Sequence, residues 1–280
     1  MIPADSCLRR IVTLSLEEDL DATGDITSRA IFAADDIGAA RVVTREAGVI
    51  SGMAAAAEVC LQVDPDLNWL PLVEDGQRVP AGAEIGRLEG RLISILSAER
   101  TVLNFLSRLS GVATLTAAYV EAVDGTGAAI AATRKTSPGM RMLEKLAVTH
   151  GGGKPHRQGL YDAVLIKDNH IAAAGGVSAA VTALRQELGA AAGIEVEVET
   201  TAELEEAIAA GAATVLLDNM APETVRQCVE LAGGKAVIEV SGGIGLGNVR
   251  QYAQAGVDVI SVGALTRSAE GVDFSLEMAD

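Results

Sequence analysis

The stretch Ile194–Gly263, IEVEVETTAELEEAIAAGAATVLLDNMAPETVRQCVELAGGKAVIEVSGGIGLGNVRQYAQAGVDVISVG, repeats one plan. Apolar runs (IEVEVET, TVLLDN, AVIEVSG, DVISVGA) alternate with helix-patterned segments (TAELEEAIAAG, APETVRQCVELAG, GLGNVRQYAQAG). The period is roughly twenty-two residues, the length of one strand plus one covering helix. Two more apolar runs stand upstream, AIAATRK (129–135) and DAVLIKD (162–168), with the helical pattern VSAAVTALRQEL behind the second. Repeated βα units with short loops predict a TIM-like α/β barrel, complete or incomplete. An open doubly wound sheet is the competing arrangement.

In a barrel of this kind the chemistry sits where strands end and loops begin. The six runs end on Thr133-Arg134-Lys135, Lys167-Asp168, Glu197 and Glu199, Asp218-Asn219, Ser241-Gly242-Gly243 and Gly263. Every end carries a charge or a glycine turn. The bare amides of SGGIG and of VGALT, with Ser241, suit a phosphate. Glu197 and Asp218, on adjacent strands, suit ribose hydroxyls or a hard divalent ion; the competing reading is an ion pair with Lys135 or Lys167. Arg134 and Arg157 can each grip a carboxylate through two parallel bonds, with His156 beside them.

The charge distribution supports that division. The 280 residues hold 22 Lys and Arg against 38 Asp and Glu, a net charge of −16. Such a balance speaks against nucleic acid and anionic membranes as partners. Thr133–His170 is nonetheless basic and contains all three histidines, His150, His156 and His170. A cationic island in an acidic chain predicts a focused site for a small anion. Arg141, Lys145 and Lys154 are expected to be scaffold or mouth charges, and His150 and His170 helix-end or loop residues. Cys7, Cys60 and Cys228 have no metal or redox spacing, which fits a reduced, cytoplasmic protein. No signal-type run or membrane span is expected, nor a zinc pattern or a Ser-His-Asp elbow.

Ahead of the repeat the pattern differs. Helices are predicted over Leu8–Leu20, Met53–Val63 and Arg91–Val123, the last interrupted at Gly111. GDITS reads as a loop, and Ile37–Val49 as a strand with a turn. DGQRVPAG followed by EIGRLEG resembles the half-barrel hairpins of lipoyl and biotinyl domains but lacks their modified lysine, so it is expected to be scaffold.

Taken together, TRKTSPGMRMLEKLAV, GGGKPHRQGLYDAVLIKDNH, EVEVET, LLDNM, EVSGGI and DVISVGALT closely resemble the quinolinate phosphoribosyltransferase family. The likeness extends to EEDLDATGDITS and SAERTVLNFLSRLSG, nearly end to end. It implies an N-terminal α/β sandwich domain (1–112), an α/β barrel (113–267) and a C-terminal segment (268–280) returning to the first domain. It also implies a cytoplasmic homodimer with active sites at the subunit interface, Mg2+, and the substrates quinolinate and phosphoribosyl pyrophosphate. The implied products are nicotinate mononucleotide, pyrophosphate and CO2, in NAD biosynthesis. By motif, Arg134, His156, Arg157 and Lys167 would grip the quinolinate carboxylates near Thr133, with Arg100 reaching in from the other subunit. Lys135, Glu197 and Asp218 would handle the ribosyl pyrophosphate, the two carboxylates also serving as metal ligands. Ser241, Gly242, Gly243 and Gly263 would hold its 5′-phosphate.

Three positions depart from the family pattern. Ala132 stands where an acid usually precedes TRKT, Pro155 stands before His156, and Thr149-His150 replaces a common arginine. Proline before the histidine also occurs in a related group of molybdenum-transport-associated proteins. The alternatives are therefore a phosphoribosyl transfer to another small acid, or a non-catalytic anion-binding accessory protein.

Overall fold

The computed structural model describes residues 4–189 and 192–279, arranged as two compact units. The first comprises Met1–Ala117, Thr136–Gly152 and Thr266–Asp280; the second comprises Ala118–Lys135 and Gly153–Leu265. The stretch 136–152, which the sequence reading assigns to the barrel, thus packs with the first unit.

In chain order the first unit contributes α1 (Ala4–Leu20), α2 (Ile26–Ile31), β1 (Ile37–Thr44), β2 (Gly48–Val49), α3 (Met53–Val63), β3 (Asn68–Pro71), β4 (Arg78–Val79), β5 (Glu84–Arg91) and α4 (Leu92–Ala122). From Ala118 the last turns of α4 belong to the second unit. Next come β6 (Ala129–Ala131), α5 (Arg141–His150), β7 (Val164–Ile166), α6 (Asp168–Ala174), α7 (Val177–Leu188), β8 (Ile194–Val198), α8 (Thr201–Ala209), β9 (Thr214–Asp218), α9 (Pro222–Ala232), β10 (Val237–Ser241), α10 (Val249–Gln254), β11 (Val259–Ser261), α11 (Ala264–Arg267) and β12 (Phe274–Met278).

The first unit is built on a four-stranded sheet in the order β12-β1-β5-β3, all pairs antiparallel. The last strand lies beside the first, Val42 opposite Leu276. Two local expectations fail here. GDITS is not a loop: Asp25 accepts the amides of Thr27 and Ser28 and, as N-cap, starts α2. Gly111 does not interrupt α4. A Cβ at that position would lie 2.0 Å from the Glu270 carbonyl oxygen, so the glycine permits close packing rather than a break.

The second unit carries the six predicted runs as a parallel sheet in the order β6-β11-β10-β9-β8-β7. From β7 to β11 the spatial order equals the chain order, with no reversal of direction. A doubly wound sheet would reverse, so the arrangement is the incomplete α/β barrel. Lys154 extends the β6 edge: its amide donates to Ile130 O at 2.8 Å, and its carbonyl accepts from Ala132 N at 2.9 Å.

Side chains alternate across these strands. Val196, Val198, Val215, Leu217, Ile238, Val240 and Ile260 are buried, each contributing roughly 1.5–3 kcal/mol by leaving water. The opposite face carries Glu195, Glu197, Leu216, Asp218, Glu239, Ser241 and Ser261, in mutual register (Ser241 opposite Asp218 and Ser261; Leu216 opposite Glu197 and Glu239). The period of two therefore gathers the polar residues of separate strands on one surface.

Candidate active site

That polar face forms a pocket of about 350 Å³ in the second unit. Its walls include Thr133, Arg134, Lys135, His156, Arg157, Lys167, Glu197, Asp218, Glu239, Ser241 and Ser261. The volume falls in the range of small-molecule sites. A smaller cavity of about 240 Å³ in the first unit has Glu18 and Asp19 as its charged lining residues, the wrong sign for an anion.

Thr133, Arg134, Lys135, His156, Arg157, Lys167, Glu197, Asp218 and Ser241, all expected at the site, line this one pocket, whereas Arg100, Gly242, Gly243 and Gly263 do not. Lys167 Nζ forms an ion pair with Glu197 Oε2, the partnership the sequence allowed as an alternative to ligand binding. Asp218 accepts a hydrogen bond from the Asn219 amide group at 2.7 Å. Arg134 Nε is buried without a hydrogen-bond partner among the described residues, a donor left for an incoming acceptor. Arg157 is 8% exposed. Burial and the neighbouring Arg134 push its pKa down, opposed by Glu195, Asp162 and Glu197, so it remains a cation.

The glycines serve as loop geometry rather than as pocket wall. Gly242 has φ +96° and a Cβ there would meet Asn219 Oδ1 at 2.2 Å, so the backbone beside Ser241 must stay bare. Gly243 also takes a positive φ, +64°. Gly263 packs against Lys135, whose Cδ would be 3.2 Å from an added Cβ. Arg100 is exposed on α4 in the first unit and is not among the pocket-lining residues. Glu199 lies past the end of β8, exposed, its amide donating to Glu203. Lys145, expected to be a scaffold or mouth charge, is fully buried in α5. His150 closes α5 with Nδ1 2.9 Å from Ser51 Oγ, and His170 accepts the Lys167 amide at the start of α6.

His156 lines the pocket, and both its ring nitrogens have partners within the protein. Nε2 lies 3.3 Å from Glu239 Oε1 and 3.6 Å from Glu195 Oε2. Nδ1 accepts the Arg157 amide at 2.7 Å. Glu195 and then Glu239 push the ring's pKa up to about 9, which favours a second proton. That proton would have to sit on Nδ1, against the Arg157 N–H, so the hydrogen bond opposes it. The Arg157 contact is made only by the tautomer that carries its proton on Nε2.

Glu195, Glu239 and Ser261 are the residues that reading the sequence missed. Ser261 Oγ donates to Glu239 Oε1 at 2.5 Å. The signal was present: Glu195 precedes Glu197 by two residues and Glu239 precedes Ser241 by two, so each shares its partner's face. His156, Glu195 and Glu239 also form the one group, among the described residues, whose ligand atoms lie close enough to hold a metal ion. Here the two carboxylates face Nε2 of the ring.

A pocket at the strand ends of an open parallel barrel, holding four cations and three carboxylates with glycine turns beside it, defines an enzyme site of the phosphoribosyltransferase class. The chain belongs to the quinolinate phosphoribosyl transferase family: its C-terminal domain model matches residues 112–277 and its N-terminal domain model residues 25–110. A probable nicotinate-nucleotide pyrophosphorylase (carboxylating) of Bacillus subtilis is 41% identical over 97% of this chain and 93% of its own. A quinolinate phosphoribosyltransferase (decarboxylating) of Nicotiana tabacum is 40% identical over 97% of this chain and 82% of its own. The solved nicotinate-nucleotide pyrophosphorylase of Francisella tularensis superposes with a TM-score of 0.94 at 44% identity, covering 100% of this chain and 98% of that one. These likenesses favour the quinolinate family over the accessory-protein alternative.

Proposed function

We propose that this chain transfers the phosphoribosyl group of phosphoribosyl pyrophosphate to quinolinate with loss of CO2. The products are nicotinate mononucleotide and pyrophosphate, a step of NAD biosynthesis. The observation that carries this reading is the sorting of charge in one pocket: Arg134, Arg157 and Lys167 for a dicarboxylate, Glu197 and Asp218 for a ribosyl centre.

Arg134 and Arg157 clamp the acceptor's two carboxylates, with Thr133 at their edge. This clamp holds the ring nitrogen toward C1 of the ribose, converting a bimolecular attack into an oriented one. As the C1–oxygen bond to pyrophosphate breaks, positive charge develops on the ribosyl ring. Glu197 and Asp218 stabilise that charge without having to reorganise. Approach of substrate draws Lys167 from Glu197 toward a carboxylate, freeing Glu197 for this task, while Lys135 neutralises the leaving pyrophosphate. The backbone at Ser241, Gly242, Gly243 and Gly263 receives the 5′-phosphate, where the absent side chains allow close approach. Attack by nitrogen gives a quaternised pyridinium. The C2–carboxylate bond then breaks, its electron pair passing to the ring as CO2 leaves, and C2 takes up a proton.

Glu197 and Asp218 supply hard oxygen donors on one face, the donor chemistry that suits Mg2+, and would hold it together with substrate oxygens. When bound, the ion supplies charge neutralisation at the phosphates. No described helix is long and apolar enough to cross a membrane. The exposed position of Arg100 on α4 supports a homodimer in which a second copy supplies this arginine to the acceptor.

The test is purified protein with Mg2+, phosphoribosyl pyrophosphate and quinolinate, with nicotinate mononucleotide followed over time. Sustained product is expected, and its absence at every substrate level refutes the assignment. For the dimer, Arg100→Ala subunits mixed with Lys167→Ala subunits should regain activity. Verified heterodimers that stay inactive would contradict a shared site.

A further inference from the structure

His156 stands in a strained backbone position with φ +51°, a conformation a non-glycine residue holds only when its surroundings enforce it. The enforcement is visible from both sides of the ring. Nε2 faces Glu239 on β10 and Glu195 on β8, and Ser261 on β11 in turn fixes Glu239, so three strands converge on one nitrogen. Nδ1 faces the amide of the next residue, Arg157. The following amide is tied as well: Gln158 N donates to Asp162 Oδ2 at 2.6 Å and Gly159 N to Asp162 Oδ1 at 2.8 Å. Arg157 is therefore flanked by two backbone anchors, one of which is the imidazole.

We propose that His156 is a positioning residue, pinned by Glu239 and Glu195 through Nε2 and holding the Arg157 backbone through Nδ1, so that it aims Arg157 at the acceptor without contacting the acceptor. Glu195 and Glu239 act through the same ring. Their second effect is to balance the cations of the pocket, since Glu195 also favours the charged form of Arg157. A substrate carboxylate meets Arg157, Arg134 and Lys167, and the imidazole stays one layer below. This refines the quinolinate reading and rests on it for its kinetic test.

Two substitutions separate an aiming role from a binding role. Asparagine tolerates positive φ, and its Oδ1 can accept the Arg157 amide in place of Nδ1. His156→Asn should keep the KM for quinolinate within about fivefold of the native value, whereas His156→Ala should raise it by about fiftyfold or more. Neither should move the KM for phosphoribosyl pyrophosphate by more than about twofold. Equal losses in the two variants, or parallel losses for both substrates, would overturn the proposal.

The native protein gives a reading that needs no variant and no turnover. Imidazole nitrogen NMR of His156 at neutral pH should show a protonated Nε2 and an unprotonated Nδ1, unchanged when quinolinate is added. A doubly protonated ring, free or bound, contradicts the proposal. If the enzyme made no product while the tautomer stood as described, the functional assignment would fall and the geometry would remain.

Discussion

Glu144 in the first unit and the pair Glu195–Glu239 in the second are carboxylates withdrawn from water, and their surroundings differ in kind. Glu144 is fully buried and receives four hydrogen bonds: from Arg108 Nε at 3.0 Å, another Arg108 nitrogen at 2.6 Å, Ser137 Oγ at 2.8 Å and Ser137 N at 3.0 Å. Arg108 is itself anchored on the carbonyl oxygens of Thr266 and Ala269. Glu195 has one buried oxygen with no partner and the other 3.6 Å from His156. A saturated carboxylate fixes a fold: it ties helix α5 and the loop before it to helix α4. An under-satisfied Glu195 beside a pocket keeps negative potential available to its neighbours. The number of donors around a buried charge separates scaffold from site in this molecule, a distinction burial alone does not make.

The largest effect expected from that contrast is catalytic and confined to the pocket. Lys135→Ala and Glu197→Ala should each lower kcat by at least about a hundredfold, the scale of losing one preorganised charge. Their thermal midpoints should stay close to the native one, since both side chains line the pocket rather than the apolar core. Near-normal turnover in either variant removes that residue from its assigned role. A smaller effect, of a different kind, is expected in the first unit. Glu144→Ala leaves Arg108 without its main partner and should cost about 3–5 kcal/mol of stability, read from denaturant titration. A variant as stable as the native protein would mean that donor saturation does not mark scaffold carboxylates, and the comparison would lose its basis.

Legibility in the sequence followed the same line. The barrel showed in the sequence because its repeat is periodic and its strands are apolar, so six runs and most covering helices could be placed from pattern alone. Lys135, Glu197, Asp218 and Ser241 were visible because strand ends are where such a fold exposes polar side chains. Glu195 and Glu239 were hidden within the strands, and only the two-residue alternation with Glu197 and Ser241 pointed to them. Asp25 starting α2 and the close approach at Gly111 depend on tertiary contacts and single hydrogen bonds that no periodicity encodes. The engagement of His156 is of that type too: motif placed it at the site, but only geometry shows that both its nitrogens are already in use.

The reaction itself offers the most direct measurement. Quinolinate carrying a labelled C2 carboxylate, incubated with the protein and Mg2+, should release labelled CO2 only when phosphoribosyl pyrophosphate is present. It should do so one for one with pyrophosphate and nicotinate mononucleotide. Release without the ribosyl donor, or pyrophosphate formed without loss of the label, would contradict a pocket in which attack by the ring nitrogen precedes decarboxylation.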